Sequence, residues 1–336
     1  MQKKYERDKQ DLLDKIKLEL SRRLNATAAK QAAVYCDLYF KRVPLAELSQ
    51  GTPEMIATMV QGQLEFLKKR ESNSLSVRVF NTSADDDNWD CQHTIFEMVN
   101  DDMPFLVDTC SMVLQEMNLE VHLIVHPVLH TERDEHGNLT SLQAKPGKTT
   151  RKESFIHVHL EKQTDPDDLS SIESSMKSRL DQVRTTVDDW QLMKDNLEEA
   201  IEEFGRGAPE LSDEVRKEVK RFLKWVGNDH FMFIGARMYD IVQEGDTACL
   251  NVIEGTGLGL LREHGQTKLS RPMSTIDGGS RFRRRVPLVI SKSLMRSPMH
   301  RSGNMDYIGV LRFDKNGKVI GEYRFIGLFT STAYLT

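Results

Sequence analysis

Cysteine is scarce in this 336-residue chain: four residues, Cys36, Cys91, Cys110 and Cys249, lie far apart and make no CxxC pair. A disulfide framework is thereby excluded, and reduced thiols of a cytoplasmic protein are the simplest reading. Long apolar runs are absent too, with nothing near the roughly 20 residues that span a bilayer. The charged start Met1-Gln-Lys-Lys-Tyr-Glu-Arg-Asp8 lacks the apolar core of a signal peptide. Nor is there a basic excess: 46 Lys and Arg against 51 Asp and Glu leave a net charge of −5, which argues against nucleic acid as a partner of the whole protein. No GxSxG, no Cys–His signature and no paired carboxylates in a cleft-like pattern occur, so no catalytic residue is named.

What is present is organised around residues 92 to 130. A β-branched strand over 92–99 runs into Asn100-Asp-Asp-Met-Pro-Phe-Leu-Val-Asp108. Asp101 and Asp102 are predicted to stand at a helix entrance and complement its positive end, with Pro104 in the first turn. Leu106, Cys110, Val113 and Met117 then follow on one helical face until Asn118. In the next strand Leu119, Val121, Leu123, Val125 and Leu129 point one way and Glu120, His122, His126 and His130 the other. This is the opening βαβ of a small regulatory sensor, a sheet covered by helices on one side and partly polar on the other.

Residues 3 to 71 read as helical, with a break at Val43-Pro44 and a restart at Thr52-Pro53-Glu54. A strand is predicted over 75–80, a turn at Ala84-Asp-Asp-Asp-Asn88, a hairpin excursion over 131–152 and a strand from Ser154 to Lys162. Leu169, Ile172, Met176, Leu180, Val183, Val187, Trp190, Met193, Leu197, Ile201 and Phe204 keep helical spacing without an intervening Gly or Pro, predicting one helix over 167–204. Gly205-Arg-Gly-Ala-Pro209 reads as a linker. Beyond it come a helix opened by Ser212, strands at 231–239 and 287–293, and a hairpin over 306–329 around Asp314-Lys-Asn-Gly317. The chain stops at Thr336 directly after a strong strand, which reads as a cut end.

Three constellations invite a functional reading. His122, His126 and His130 share a strand face, as do His157 and His159. Yet residues two apart on a strand lie about 7 Å apart, and no Cys or carboxylate joins them at tight spacing, so a covered polar sheet face is preferred over a metal site. Gly255-Thr-Gly-Leu-Gly259 hints at a dinucleotide loop, but Leu260 stands where the third glycine belongs. Residues 278–305 hold no acid and carry Arg283, Arg284, Arg285, Lys292, Arg296 and Arg301, a candidate anion or docking patch beside the plainer reading of a solvated loop.

Several segments resemble, in order, the amino-terminal region of the large NAD-specific glutamate dehydrogenases of bacteria. They are Asp101–Asp108, Val121-His-Leu-Ile-Val-His-Pro-Val128, Glu153-Ser-Phe-Ile-His157, His230-Phe-Met-Phe-Ile-Gly235, Gly257-Leu-Gly-Leu-Leu261, Ser297-Pro-Met-His-Arg301, Asp306–Phe313 and Gly321–Leu328. The resemblance implies a much longer parent that oxidises L-glutamate with NAD, and an ACT-like sensor here. The family's substrate-binding and proton-transfer residues map onto no position of this chain. Asp102-Met-Pro-Phe-Leu106 resembles the acidic-Pro-Gly-Leu start of the first ACT helix, with Phe105 where a Gly usually lets the backbone approach a bound amino acid. Asp101, Asp102, Met103, Pro104 and Phe105 are accordingly the candidate effector residues.

The expected fold is α+β. It has a helical segment (1–74), an ACT-like, ferredoxin-like βαββαβ sheet with helices on one face (75–165), a long connecting helix and linker (166–209), and a second antiparallel α+β module (210–336). Expected partners are the parent's downstream domains, a second copy in a homo-oligomer, and an amino-acid or metabolite effector. No cofactor or metal is expected in these residues, NAD belonging to the parent, and no activity is expected of them alone. The competing reading is an assembly module without a small-molecule ligand.

Overall fold

The structure is a computed structural model describing residues 2–82, 91–207, 211–244, 247–262 and 286–334. The turn expected at 84–88 lies outside them. The chain divides into two compact units, Met1–Asp181 and Gln182–Thr336.

The first unit opens with helices α1 (Gln2–Arg23), α2 (Ala26–Tyr39), α3 (Leu45–Leu48) and α4 (Pro53–Leu67). The restart at Thr52 is a side-chain cap: its Oγ1 accepts the Met55 amide at 3.3 Å, and Pro53 gives up no needed donor. Strands β1 (Ser76–Asn81) and β2 (Thr94–Asp101), helix α5 (Leu106–Glu116), strands β3 (Val121–Val125), β4 (Val128–Arg133), β5 (Leu139–Gln143) and β6 (Arg151–Leu160), and helix α6 (Pro166–Asp188) follow. The sheet runs β1-β2-β6-β4-β5, with β3 also paired to β6, and every pairing is antiparallel. Here β2, α5, β3, β6 and α6 supply the first five elements of a βαββαβ unit. The edge position beside β2 is taken by β1, which comes from upstream rather than from after α6.

Alternation along β2 and β6 separates two buried faces. Phe96, Met98, Ile156 and Val158 are buried on one, where the apolar stripes of α5 (Leu106, Cys110, Val113) and α6 (Ile172, Met176, Leu180) also go out of solvent. On the other, Val99, Leu129 and Phe155 form one core with Tyr35, Tyr39, Val60 and Leu67. The polar face is therefore covered, and the cover is the chain's own helical segment.

Three local expectations change. The strand expected across 119–130 is two strands, because Pro127 cannot donate to a ladder and His126 turns out to meet Ser154. Helix α5 starts at Leu106, later than Asp101–Pro104 implied: Asp101 still belongs to β2, and both carboxylates are held by sheet-side partners. The helix expected over 167–204 is interrupted at Asp189. The Asp189 carboxylate accepts the Gly259 amide (2.7 Å) and Arg262 Nε (2.9 Å), partners that no 3.6-residue periodicity reveals.

The second unit comprises the last turns of α6, α7 (Trp190–Gly207), α8 (Asp213–Trp225) and strands β7 (Phe231–Glu244), β8 (Thr247–Val252), β9 (Leu258–Gly259), β10 (Leu288–Arg296), β11 (Asn304–Phe313) and β12 (Val319–Phe329). Helix α7 continues through Gly207, so the expected linker at 205–209 is helical at its start; its last residues lie outside the described ones. The sheet order is β10-β11-β12-β7-β8, with β9 on β7. Leu197, Phe204 and Leu223 pack on Phe233, Ile308, Tyr323 and Phe325. Ser212 caps α8 through the Val215 amide, and Asp314 Oδ1 accepts the Asn316 and Lys318 amides in the tight turn closed by Gly317, at φ 79°. Among the described residues no helix is long and apolar enough to cross a membrane.

Candidate functional site

The loop between β2 and α5 is anchored from below by a buried ion cluster. Arg70, following α4, contacts Glu153 through Nε (3.0 Å) and Nη2 (2.8 Å) and Asp101 through Nη2 (2.6 Å). Arg133 meets Glu153 in a two-point contact, Nε to Oε1 at 2.8 Å and Nη2 to Oε2 at 2.9 Å. Burial alone works against the Glu153 carboxylate, but the hydrogen bonds and charges of Arg133 and Arg70 outweigh it and hold its carboxyl below the ordinary range. Asp101 is thus committed to fold rather than to a ligand.

Phe105 precedes α5 at φ 73°, the left-handed region that a side chain disfavours. The backbone here has the shape that a glycine would take without strain, and this chain places a bulky ring on it. Phe105→Gly is therefore expected to be more stable than Phe105→Ala by ~1 kcal/mol, since both lose the ring and only Gly loses the strain. Urea midpoints check this; equal stability of the two variants would refute it.

Asp102 points the other way. Its Oδ1 accepts the Ser154 hydroxyl at 2.7 Å, and Ser154 Oγ lies 3.0 Å from His126 Nε2. Burial, with a smaller opposing effect of Asp102, keeps His126 below its ordinary value and hence neutral. Because the hydroxyl proton goes to Asp102, His126 Nε2 is the donor to Ser154. The three residues match a nucleophilic triad in type but not in order: serine donates to the carboxylate, not to the imidazole. The arrangement orients His126; it does not activate Ser154.

His126 lines a cavity of about 710 Å³ between the turn after α2 and the β3–β4 edge. Lys41, Arg42 and His130 share its lining, no Asp or Glu among the described residues does, and Val107 brings in the first turn of α5, whose dipole adds positive potential. Its chemistry suits an anion. None of Asp101–Phe105 lines it; the loop reaches it through Ser154. Sequence reading missed Lys41 and Arg42, which stand 60 residues upstream and carry no local motif.

Farther along the covered face the imidazoles form a row. Ring centroids lie 4.4 Å apart for His122 and His93, 5.4 Å for His93 and His159, and 4.9 Å for His159 and His157. The row ends where His157 Nδ1 meets Glu97 Oε1 at 2.7 Å, with Gln63, Tyr35 and Arg78 completing the network. His122, His126 and His130 do not converge, and among the described residues no three His, Cys, Asp or Glu side chains are placed to hold one metal ion.

In the second unit Arg283, Arg284 and Arg285 lie outside the described residues. Lys292 pairs with Asp306 at 2.6 Å, Arg296 donates to Ser302 and Arg301 to the Phe329 carbonyl, so local partners hold all three. The Gly255–Gly259 loop does not fit a dinucleotide. It leads into β9 rather than a helix, its Gly259 amide is given to Asp189, and a Cβ on Gly259 would stand 2.3 Å from the Ile234 carbonyl oxygen. Gly257 and Gly259 serve close packing, whereas Gly255 has open space around it and serves a turn at φ 76°.

Comparison with known proteins agrees with this architecture. Residues 35–176 match the family described as "Glutamate dehydrogenase, ACT1 domain". The NAD-specific glutamate dehydrogenase of Halomonas elongata is 30% identical over 332 residues, covering 96% of this chain and 20% of its own length. Its Pseudomonas aeruginosa counterpart is 28% identical over 330 residues, 97% of this chain and 20% of its own. That of Mycobacterium tuberculosis is 27% identical over 234 residues, 68% and 13% respectively. The chain spans about a fifth of the length of the first two.

Proposed function

We infer that this chain, whose residues 35–176 belong to the ACT1 domain family of glutamate dehydrogenase, is the amino-terminal regulatory region of a cytoplasmic NAD-dependent enzyme. The parent converts L-glutamate, NAD and water to 2-oxoglutarate, ammonia and NADH. The region itself is non-catalytic. It senses an anionic metabolite and relays its presence to downstream domains of a homo-oligomer.

One observation carries the sensing role: the acid-free cavity with Lys41, Arg42, His126 and His130, connected through Ser154 to the loop that opens α5. A carboxylate-bearing amino acid or oxoacid meets cations at the rim and imidazole nitrogens in the wall. A thermal-shift screen of free amino acids, 2-oxoglutarate and nucleotides tests it, because a ligand of the native state raises the melting temperature. A selective shift that Arg42→Glu removes is expected. No shift at millimolar ligand, or one indifferent to Arg42→Glu and Lys41→Glu, would sink the reading.

The assembly alternative has its own support. Edge strand β10 leaves Ile290 and Met295 exposed and Leu294 97% exposed, an apolar edge with no strand beyond it among the described residues, of the kind that proteins usually cover. Concentration-dependent self-association without any ligand-induced shift would favour it. Turnover of glutamate with NAD by these 336 residues would overturn both.

A further inference from the structure

The lining of the basic cavity distinguishes among anions. Lys41 and Arg42 are exposed side chains, so a ligand in the cavity can reach them, and neither is held in an ion pair by a described residue. Burial pushes the His126 imidazole down, Asp102 opposes this, and the charge of Arg42 adds to it, which places the guanidinium on the His126 side. Lys9 of α1 brings a third cation: its Nζ donates to the carbonyls of Val43 (2.7 Å) and Lys41 (3.3 Å). A carboxylate is received here by several cations.

An ammonium group finds no such reception. No carboxylate of the described residues lines the cavity. Backbone carbonyls are the other natural acceptors, and four along its lining are in use. Lys9 takes those of Lys41 and Val43, the Leu48 amide takes that of Pro44 at 3.1 Å, and the Phe155 amide takes that of Pro127 at 3.1 Å. An α-amino group would therefore be desolvated among like charges. Much of the remaining lining is apolar. Leu38, Val107, Leu123, Ile124 and Val128 are half-buried members of it, open to a ligand rather than sealed. A compact dicarboxylate would leave them wet or set its second charge against them. The cavity has about 710 Å³, whereas about 150 Å³ suffices for benzene, so an apolar body has ample room.

We propose that this cavity takes an amphipathic carboxylate, an anion with an apolar body of ring or branched-chain size and no amino group, its carboxylate received by Arg42 and Lys41 and its body by the apolar lining. The proposal rests on the anionic reading of the cavity and narrows it.

Calorimetric titration of the full chain with 3-phenylpropanoate, phenylalanine, propanoate and 2-oxoglutarate tests it. The first two differ by the ammonium alone, the first and third by the ring alone. 3-Phenylpropanoate is expected to bind one to one and more tightly than 2-oxoglutarate. Phenylalanine and propanoate should each bind ~tenfold more weakly or worse, the scale of stranding one charge or of leaving one aromatic side chain unburied. Arg42→Glu, at an exposed position, should weaken 3-phenylpropanoate by a similar factor; its melting curve reports whether it is folded, and the probe ratios in the unaltered protein need no variant. Phenylalanine or propanoate binding as tightly as 3-phenylpropanoate would overturn the proposal. So would Arg42-dependent binding of 2-oxoglutarate tighter than that of 3-phenylpropanoate, an outcome under which the anionic reading stands. Absence of binding by all four probes at millimolar concentration, or binding indifferent to Arg42→Glu, would remove the anionic reading as well.

Discussion

Glu153→Gln is expected to destabilise the first unit by ~3–5 kcal/mol, the usual cost of removing one partner from a buried ion pair. In the native cluster Arg70 and Arg133 face Glu153 and Asp101, two cations against two carboxylates. Neutralising Glu153 leaves both guanidinium groups to Asp101, whose side chain is 25% exposed and contacts Arg70 alone in this cluster. Arg133→Met should cost distinctly less, because Glu153 then keeps Arg70. Urea denaturation of the two variants measures the difference, and equal costs would mean that Arg133 matters to the cluster as much as Glu153 and that the remaining Arg70 contact stabilises nothing. The effect extends to the site. Arg70 joins the end of α4 to the ends of β2 and β6, and the β2 end carries the loop on which Asp102 and Phe105 are placed. Weaker effector affinity in Glu153→Gln at temperatures where it remains folded would accordingly accompany the loss of stability.

That cluster was not legible in the sequence, and the reason is physical. Its members come from positions 70, 101, 133 and 153, each a plain charged residue in its own neighbourhood. Only the antiparallel ladder brings them within 3 Å of one another. Features closed within a few residues were legible: the Thr52 and Ser212 caps, the turn at Asp314–Gly317, the break at Val43–Pro44. The unusual backbone at Phe105 was legible only through the resemblance, which marks the position as one for glycine; the ring itself gives no hint of φ 73°. The interruption at Asp189 was invisible because the apolar period runs straight through it. Its cause is a carboxylate reaching Gly259 and Arg262, seventy and more residues away. The same limit applies to the cavity. The histidines drew attention by spacing along one strand, whereas what they build depends on β3 and β4 parting at Pro127 and on helices that arrive from the amino terminus.

Stability of the first unit should fall as the pH is lowered below about 6.5, well before its carboxylates titrate. Burial holds His159 down to about 3 from an ordinary 6.5 and moves His93 and His126 in the same direction. Over that interval the unfolded chain takes up protons that the folded chain refuses. The stabilisation is thus complete above about 6.5 and is lost progressively as the pH falls through the window. Glu97 and Glu153, both held below 4.5, add their own loss only on the acid side of that value. The interval from 6.5 to 4.5 therefore isolates the imidazoles from these two carboxylates. A fully excluded proton changes stability by ~1.4 kcal/mol per pH unit, so His159 is expected to contribute about 1 kcal/mol between pH 6 and 5. Urea midpoints at pH 7, 6 and 5 for the unaltered chain and His159→Asn measure this as a difference in slope, and identical slopes would contradict it. The folded chain keeps His159 neutral throughout this window, so the proton is felt through stability and not through a change of charge in the folded sheet.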